Sequence, residues 1–226
     1  MKHSTEEIEL LQLLKELQCI LSDAINSLGG QTPKSPESHY VGFSTVSVNT
    51  AADGYLVLRE AHRVNASKPL IRQALEAIIF GVAVEKQHGI LFRKAFSEWQ
   101  DWNKMIKDPN AKIQHKKTWE DFEKKVRKFD AACPIDPRSL TVKEAAEIAK
   151  MSEHYEISYR IYCKFTHGAL EALAGNLNSI TDCDDSRVMI WCAFQAIGLL
   201  QRNTPAKFPD LKPLFQKIDV KIFQPT

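Results

Sequence analysis

Ser67-Lys68-Pro69-Leu70-Ile71-Arg72-Gln73-Ala74-Leu75-Glu76-Ala77-Ile78-Ile79-Phe80-Gly81-Val82-Ala83-Val84 is the stretch that decides the fold. Leu70, Ala74, Leu75, Ile78, Ile79 and Val82 recur at intervals of three and four residues, one face of an α-helix. Apolar residues surround much of Ala74 to Val84, which places this segment at the centre of a core. Ser67 can cap the helix, with Pro69 in its first turn, where a missing amide costs little. The period continues through Leu91 and Phe92 toward Trp99, so a single long helix is expected.

Outward from this element, the chain reads as further helices. Ser4 to Leu28 is amphipathic, opens with a Ser4/Glu7 capping box and stops at Gly29-Gly30. Gly30 to Thr50 is rich in Gly, Pro, Ser and Thr and reads as an exposed loop, with Tyr40 to Val48 open to a short extended piece. Thr50 to His62 reads as a second helix. Asp108-Pro109-Asn110 marks a break before a charged helix from Lys112 to Ala131, and Cys133 to Pro137 forms a turn. Thr141 and Glu144 repeat the capping pattern ahead of a short helix to Lys150. A helix from Ser152 or Glu153 to Asn176, a polar loop from Thr181 to Asp185 and a last helix from Ser186 to Gln201 follow. The proline-bearing tail after Asn203 reads as mainly irregular. Period-two alternation is almost nowhere sustained. The expectation is one all-α domain over residues 1–226, a helical bundle with long central helices and little or no sheet.

Of 226 residues, 44% are hydrophobic, enough for a sizeable core, and 26% are charged. The formal net charge is only +2, so a nucleic-acid role must rest on local charge. Cys19, Cys133, Cys163, Cys183 and Cys192 form no CxxC pair, and their spacing matches no zinc module, which favours reduced thiols. The opening MKHSTEEIELL is unlike a signal peptide, and no apolar run approaches the roughly 20 residues that span a bilayer. A cytoplasmic protein without a membrane partner is expected.

The chemistry concentrates between Tyr155 and Gly175. Arg160 and His167 are seven residues apart, about 20° short of two full turns, and Lys164 lies between them. Their backbones are roughly 10.5 Å apart along the axis, so the two side chains suit opposite sides of one bound group. Arginine offers a permanently charged planar fork, and histidine moves a proton near neutral pH. In RNA cleavage, a base removes the ribose 2′-hydroxyl proton and a cation stabilises the charge on the attacked phosphate. The alternative is that Arg160 pairs with Glu156 and His167 with Glu171 at neighbouring turns. Tyr155, Tyr159 and Tyr162 could stack on bases, although packing suits their spacing better.

Arg72 and Glu76 form a second constellation on the central helix. They read either as a plain i,i+4 salt bridge or as a buried pair in which Glu76 orients Arg160 or His167. A third feature is Lys104 to Lys128, with nine basic residues against four acidic ones. Lys116, Lys117, Lys124 and Lys125 could track phosphates there, or simply form the solvated face of a helix whose Trp119 and Phe122 turn inward. No nucleotide-binding glycine loop, GxSxG or HExxH occurs, and no histidine pair has metal-site spacing on a helix, so neither a metal nor another cofactor is expected.

Arg160, six residues, then His167 on a late helix of a bundle resembles the HEPN superfamily, the higher eukaryotes and prokaryotes nucleotide-binding domain. The wider pattern, Leu70 to Glu76 followed by Tyr155 to Arg160 and His167, is similar to a group of bacterial proteins of unassigned function. The HEPN resemblance implies a metal-independent endoribonuclease whose site forms where two subunits pair their motif helices. Arg160 would contact phosphate and His167 would be the general acid or base. It also implies a homodimer and a toxin–antitoxin or anti-phage defence setting, with an antitoxin or defence-system partner. The six-residue gap is at the long end of the family range, and Ile161 is apolar where active members commonly carry a polar residue.

Overall fold

The computed structural model describes residues 4–29, 35–134, 136, 138–166 and 182–218. All regular structure among them is helical. The helices are α1 (Thr5–Ser27), α2 (Pro36–Glu60), α3 (Val64–Lys86), α4 (Ile90–Met105), α5 (Pro109–Phe129) and α6 (Val142–Ala149). Helix α7 starts at Ser152–His154, passes through a π-helical turn at Tyr155–Tyr159 and continues as Arg160–Thr166. Helices α8 (Asp182–Asn203) and α9 (Lys212–Ile218) follow. No helix among the described residues is long and apolar enough to cross a membrane.

Helices α1, α2, α3 and α8 pack around one core, and α6 and α7 lie against α3. The core stripe of α3 is largely the one legible in the sequence: Ala74, Leu75, Ile78, Ile79 and Val82 are buried, Leu70 only partly so, and Ile71 and Ala83 join them. Ile71, Ala74, Leu75, Ile78, Ile79 and Ala83 are fully shielded from solvent. Each such Leu or Ile contributes roughly 1.5–3 kcal/mol relative to exposure. At Gly81, α3 lies close to both α2 and α8. A Cβ there would lie 3.2 Å from both Leu199 and Ser44.

Helix α2 replaces most of the expected loop. Residues 36–50 are helical, and no extended piece exists at Tyr40 to Val48. Ser35 caps the helix by accepting from the Ser38 amide, and Pro36 occupies the first turn. Val41, Thr45, Val48, Ala52 and Tyr55 then form a buried stripe. The hydroxyls that made this stretch look like a loop bond back into the helix. Thr45 donates to the Gly42 carbonyl at 2.7 Å and Thr50 to that of Val46 at 3.0 Å. Packing outweighs weak local propensity here.

Helix α3 begins one turn earlier than expected, at Val64. Ser67 is therefore an interior, buried residue whose hydroxyl donates to the Val64 carbonyl at 2.7 Å. The chain also breaks at Gln87 to Gly89 instead of running on to Trp99. Gly89 has φ +83, and a Cβ there would meet Pro134 at 2.6 Å, so both conformation and space require glycine. The expected break at Asp108 is the N-cap of α5, accepting from the amides of Asn110 and Ala111. Helix α8 begins inside the expected Thr181 to Asp185 loop, and α9 gives part of the tail helical order.

Helix α4 joins the core at its start through Ile90, while the rest of the α4–α5 hairpin projects from it, and no described side chain of α5 is buried. The seam of the hairpin is aromatic, with Trp119 5.2–5.3 Å from Phe92, Phe96, Trp99 and Phe122. Buried Arg93 ties α4 to the segment before α6, donating to the Arg138 and Ser139 carbonyls and to Glu144.

Candidate functional site

The π turn sets the geometry of α7. A π turn holds one residue more than an α turn, and such turns are frequent at functional sites. The Arg160 amide closes this one on the Tyr155 carbonyl. Beyond it the helix is regular through Thr166, so Arg160 and Lys164 share a face. His167, Glu171 and the rest of the expected helix to Asn176 lie outside the described residues.

Arg160 points outward with 64% of its side chain exposed, and Glu156 accepts from it at 2.6 Å. That is the neighbouring-turn pair weighed from the spacing. Lys164 is also exposed. Tyr155 is half-buried, its ring 5.4 Å from that of Tyr159. Tyr159 and Tyr162 are buried, so these two tyrosines pack, while Tyr155 keeps part of its ring open.

Arg72 and Glu76 do converge on α7, but on Tyr159 and not on Arg160. The Tyr159 hydroxyl donates to Glu76 Oε2 at 3.2 Å and accepts a long bond from Arg72 Nη2 at 3.4 Å. Arg72 and Glu76 are themselves 3.6 Å apart. Burial pushes the Tyr159 phenol up, and the Glu76 carboxylate adds to this, while Arg72 pulls the other way. The phenol therefore stays protonated and works as a donor. Arg72 and Glu76 also line a cleft of about 430 Å³ between α2, α3 and α4. Tyr40, Lys94 and Glu98 line it too, and Thr166, the residue before His167, lies at its edge.

A deeper polar network has no counterpart among the sequence expectations. Lys68 Nζ donates to Asp185 Oδ2 at 2.8 Å, and the Tyr162 hydroxyl donates to Asp185 Oδ1 at 2.7 Å. Burial pushes the Asp185 carboxyl up, against the pull of Lys68 and Tyr162. Nearby, Arg59 pairs with Glu7 and lies 5.8 Å from the Tyr55 ring, while the Tyr55 hydroxyl is 3.0 Å from that of Ser186. Arg59 and Glu7 are both shielded from solvent. Lys68 sits beside Ser67 at the head of the fold-deciding stretch, and its partner is 117 residues away, so no local signal announces it.

Lys116, Lys117, Lys124 and Lys125 are all exposed on α5. Trp119 turns toward α4 as expected, while Phe122 remains 36% exposed at the seam. At the base of the hairpin, His88, Asp130 and Cys133 bring ligand-type atoms within 4.8 Å of one another. Metal-ligand spacing along single helices does not reveal this group, because it joins the α3–α4 break to the turn after α5.

The architecture is thus a helical bundle with a charged outer face on α7 and a buried ionic network behind it. The chain belongs to the family of unknown function DUF5677, whose sequence model matches residues 39–186. That span runs from the first turns of α2 to Ser186 and takes in Arg72, Glu76, Arg160 and Asp185. No curated protein and no solved structure matches the chain.

Proposed function

We propose that the protein is a HEPN-like endoribonuclease that cleaves RNA without a metal, with Arg160 binding phosphate and His167 moving the proton. The observation that carries this reading is the outward aim of Arg160. Its charge is permanent, and its carboxylate partner Glu156 is 46% exposed, so a phosphate can displace it. Lys164 adds charge on the same face. Tyr155 stands at the edge of this face as a stacking surface, and Lys116, Lys117, Lys124 and Lys125 extend the contact to the RNA backbone. Two copies pairing their α7 faces would complete the site. A toxin or anti-phage role in the cytoplasm, under an antitoxin or defence-system partner, fits such an activity.

The test is cleavage of a mixed RNA pool in chelator by untagged protein. Wild type should cut, and His167→Ala should lower the rate by roughly 10²–10⁴-fold, the usual worth of a general acid or base. Arg160→Ala should also lose activity. Equal activity of wild type and His167→Ala sinks the assignment.

A second reading is a non-catalytic helical interaction protein. The Arg72–Glu76–Tyr159 cluster favours it, because these polar groups tie α3 to α7 and leave Arg160 unsupported from behind. Under that reading no variant changes any RNA.

A further inference from the structure

We infer that His88, Asp130 and Cys133 form a binding site for one zinc-class divalent metal ion, with Glu37 placed behind the histidine ring to support it once the metal is bound. Three segments distant in sequence meet here. His88 stands in the α3–α4 break, Asp130 and Cys133 flank a turn at the end of α5, and Glu37 lies in the first turn of α2. The Cys133 amide donates to the Asp130 carbonyl at 3.1 Å, which folds carboxylate and thiol toward the same side. Gly89, next to His88, lets the break close onto Pro134. The fold thus presses the two ligand-bearing segments together at a point where a side chain would hold them apart.

The chemistry is selective. Imidazole nitrogen, thiolate and carboxylate are the three donor types that zinc takes, and they suit magnesium or calcium poorly. Bond lengths of about 2.0–2.3 Å put the ligands of a tetrahedral zinc about 3.3–3.8 Å apart. The three donor atoms already lie within 4.8 Å of one another, and small side-chain rotations close the remainder. His88 Nε2 is 2.9 Å from Asp130 Oδ2, so that nitrogen faces the ligand set. The other nitrogen, Nδ1, lies 3.8 Å from Glu37 Oε1. When a metal takes the Nε2 lone pair the ring proton sits on Nδ1, and a small closure of the 3.8 Å gap lets Glu37 accept it. Three protein ligands leave a fourth position for water or an incoming group. None of these residues belongs to the proposed RNA site, so either assignment can fail alone.

The test uses untagged, full-length, reduced protein stripped with chelator and titrated with Co²⁺. Expected are one equivalent bound, a thiolate-to-cobalt charge-transfer band, and loss of that band on adding Zn²⁺. Cys133→Ser should abolish the band and His88→Ala should weaken binding at least tenfold. Glu37→Gln should keep the band while weakening binding about 10–100-fold, the usual effect of losing an outer partner. Cys19→Ser, at an exposed cysteine elsewhere, should change nothing. Each variant is first checked for an unchanged thermal midpoint. If Cys133→Ser unfolds, Cys133→Ala takes its place. No band in wild type, or an undiminished band in a folded Cys133 variant, overturns the site.

Discussion

The two sides of α7 handle charge in opposite ways. On the inner side, Tyr162 reaches Asp185, which also holds Lys68, and all three are buried. On the outer side, Arg160 and Glu156 form a pair open to water. Tyr162 stands only two positions beyond Arg160, yet one belongs to the structural interior and the other is available to a ligand. Buried pairs are costly to break because the remaining charge has no water. Exposed pairs cost little to exchange. Position in the section of the helix, and not residue type, decides which charges are structural.

The strongest way to break this comparison is to remove half of an inner pair. Asp185→Ala and Arg59→Ala should each destabilise the fold by about 3–5 kcal/mol, measured by urea unfolding. Replacing both members of the second pair together, Glu7→Leu with Arg59→Met, should instead be neutral or stabilising by about 1–4 kcal/mol. A single loss as small as that of an exposed pair would erase the distinction.

Tyr159 sits between the two sides, and Tyr159→Phe should cost about 1 kcal/mol by removing one hydroxyl from Arg72 and Glu76. The outer variant Arg160→Ala should leave the unfolding midpoint in place while abolishing the RNA cleavage proposed above. A shift as large as that of Asp185→Ala would make Arg160 structural.

The proposed RNA contact of the outermost charges is tested by the salt dependence of binding. Changing Lys116, Lys117, Lys124 and Lys125 to Gln should reduce the slope of log affinity against log salt by about 0.7 for each phosphate no longer neutralised. An unchanged slope removes α5 from the surface.

The smallest expected effect is a pH dependence at the start of α7. His154 packs tilted against Trp191, ring centroids 4.1 Å apart, and burial lowers its pKa from the usual 6.5, against the pull of Glu153. The unfolded chain therefore takes up this proton first as pH falls. Stability is complete above the unfolded value and declines as pH drops below it. His154→Phe should flatten the thermal midpoint between pH 7 and 5 relative to wild type. An identical slope in both would show that His154 does not titrate in that range.

Local signals were readable in the sequence, and distant pairings were not. Ser4 and Thr141 cap their helices as their motifs announce, each accepting the amide three residues on. The stripe of α3 is the core because its period alone specifies the buried face. The first half of helix α2 was hidden by its hydroxyls, which mimic loop composition until a buried partner surface is known, while the half from Thr50 onward was readable. The break at Gly89 was hidden for the opposite reason, since the apolar period runs through it. Glu7 with Arg59 and Lys68 with Asp185 are 52 and 117 residues apart. Charged residues at such separations look like solvated ones until the fold buries them. For the site, Arg160 with Glu156 was readable at one turn's distance, while the role of Tyr159 as partner to both Arg72 and Glu76 needed the packing of two helices.

The π turn at Tyr155–Tyr159 gives α7 a phase as well as a direction. It acts like a single extra tooth in a gear train, rotating everything downstream against everything upstream. Winding the same residues at an even α pitch, with none removed, would swing Arg160–Thr166 by about 100°. Tyr162 would then turn away from Asp185, and Arg160 would leave its place on the outer face. That one tooth keeps the residue that anchors and the residue that faces outward from changing places.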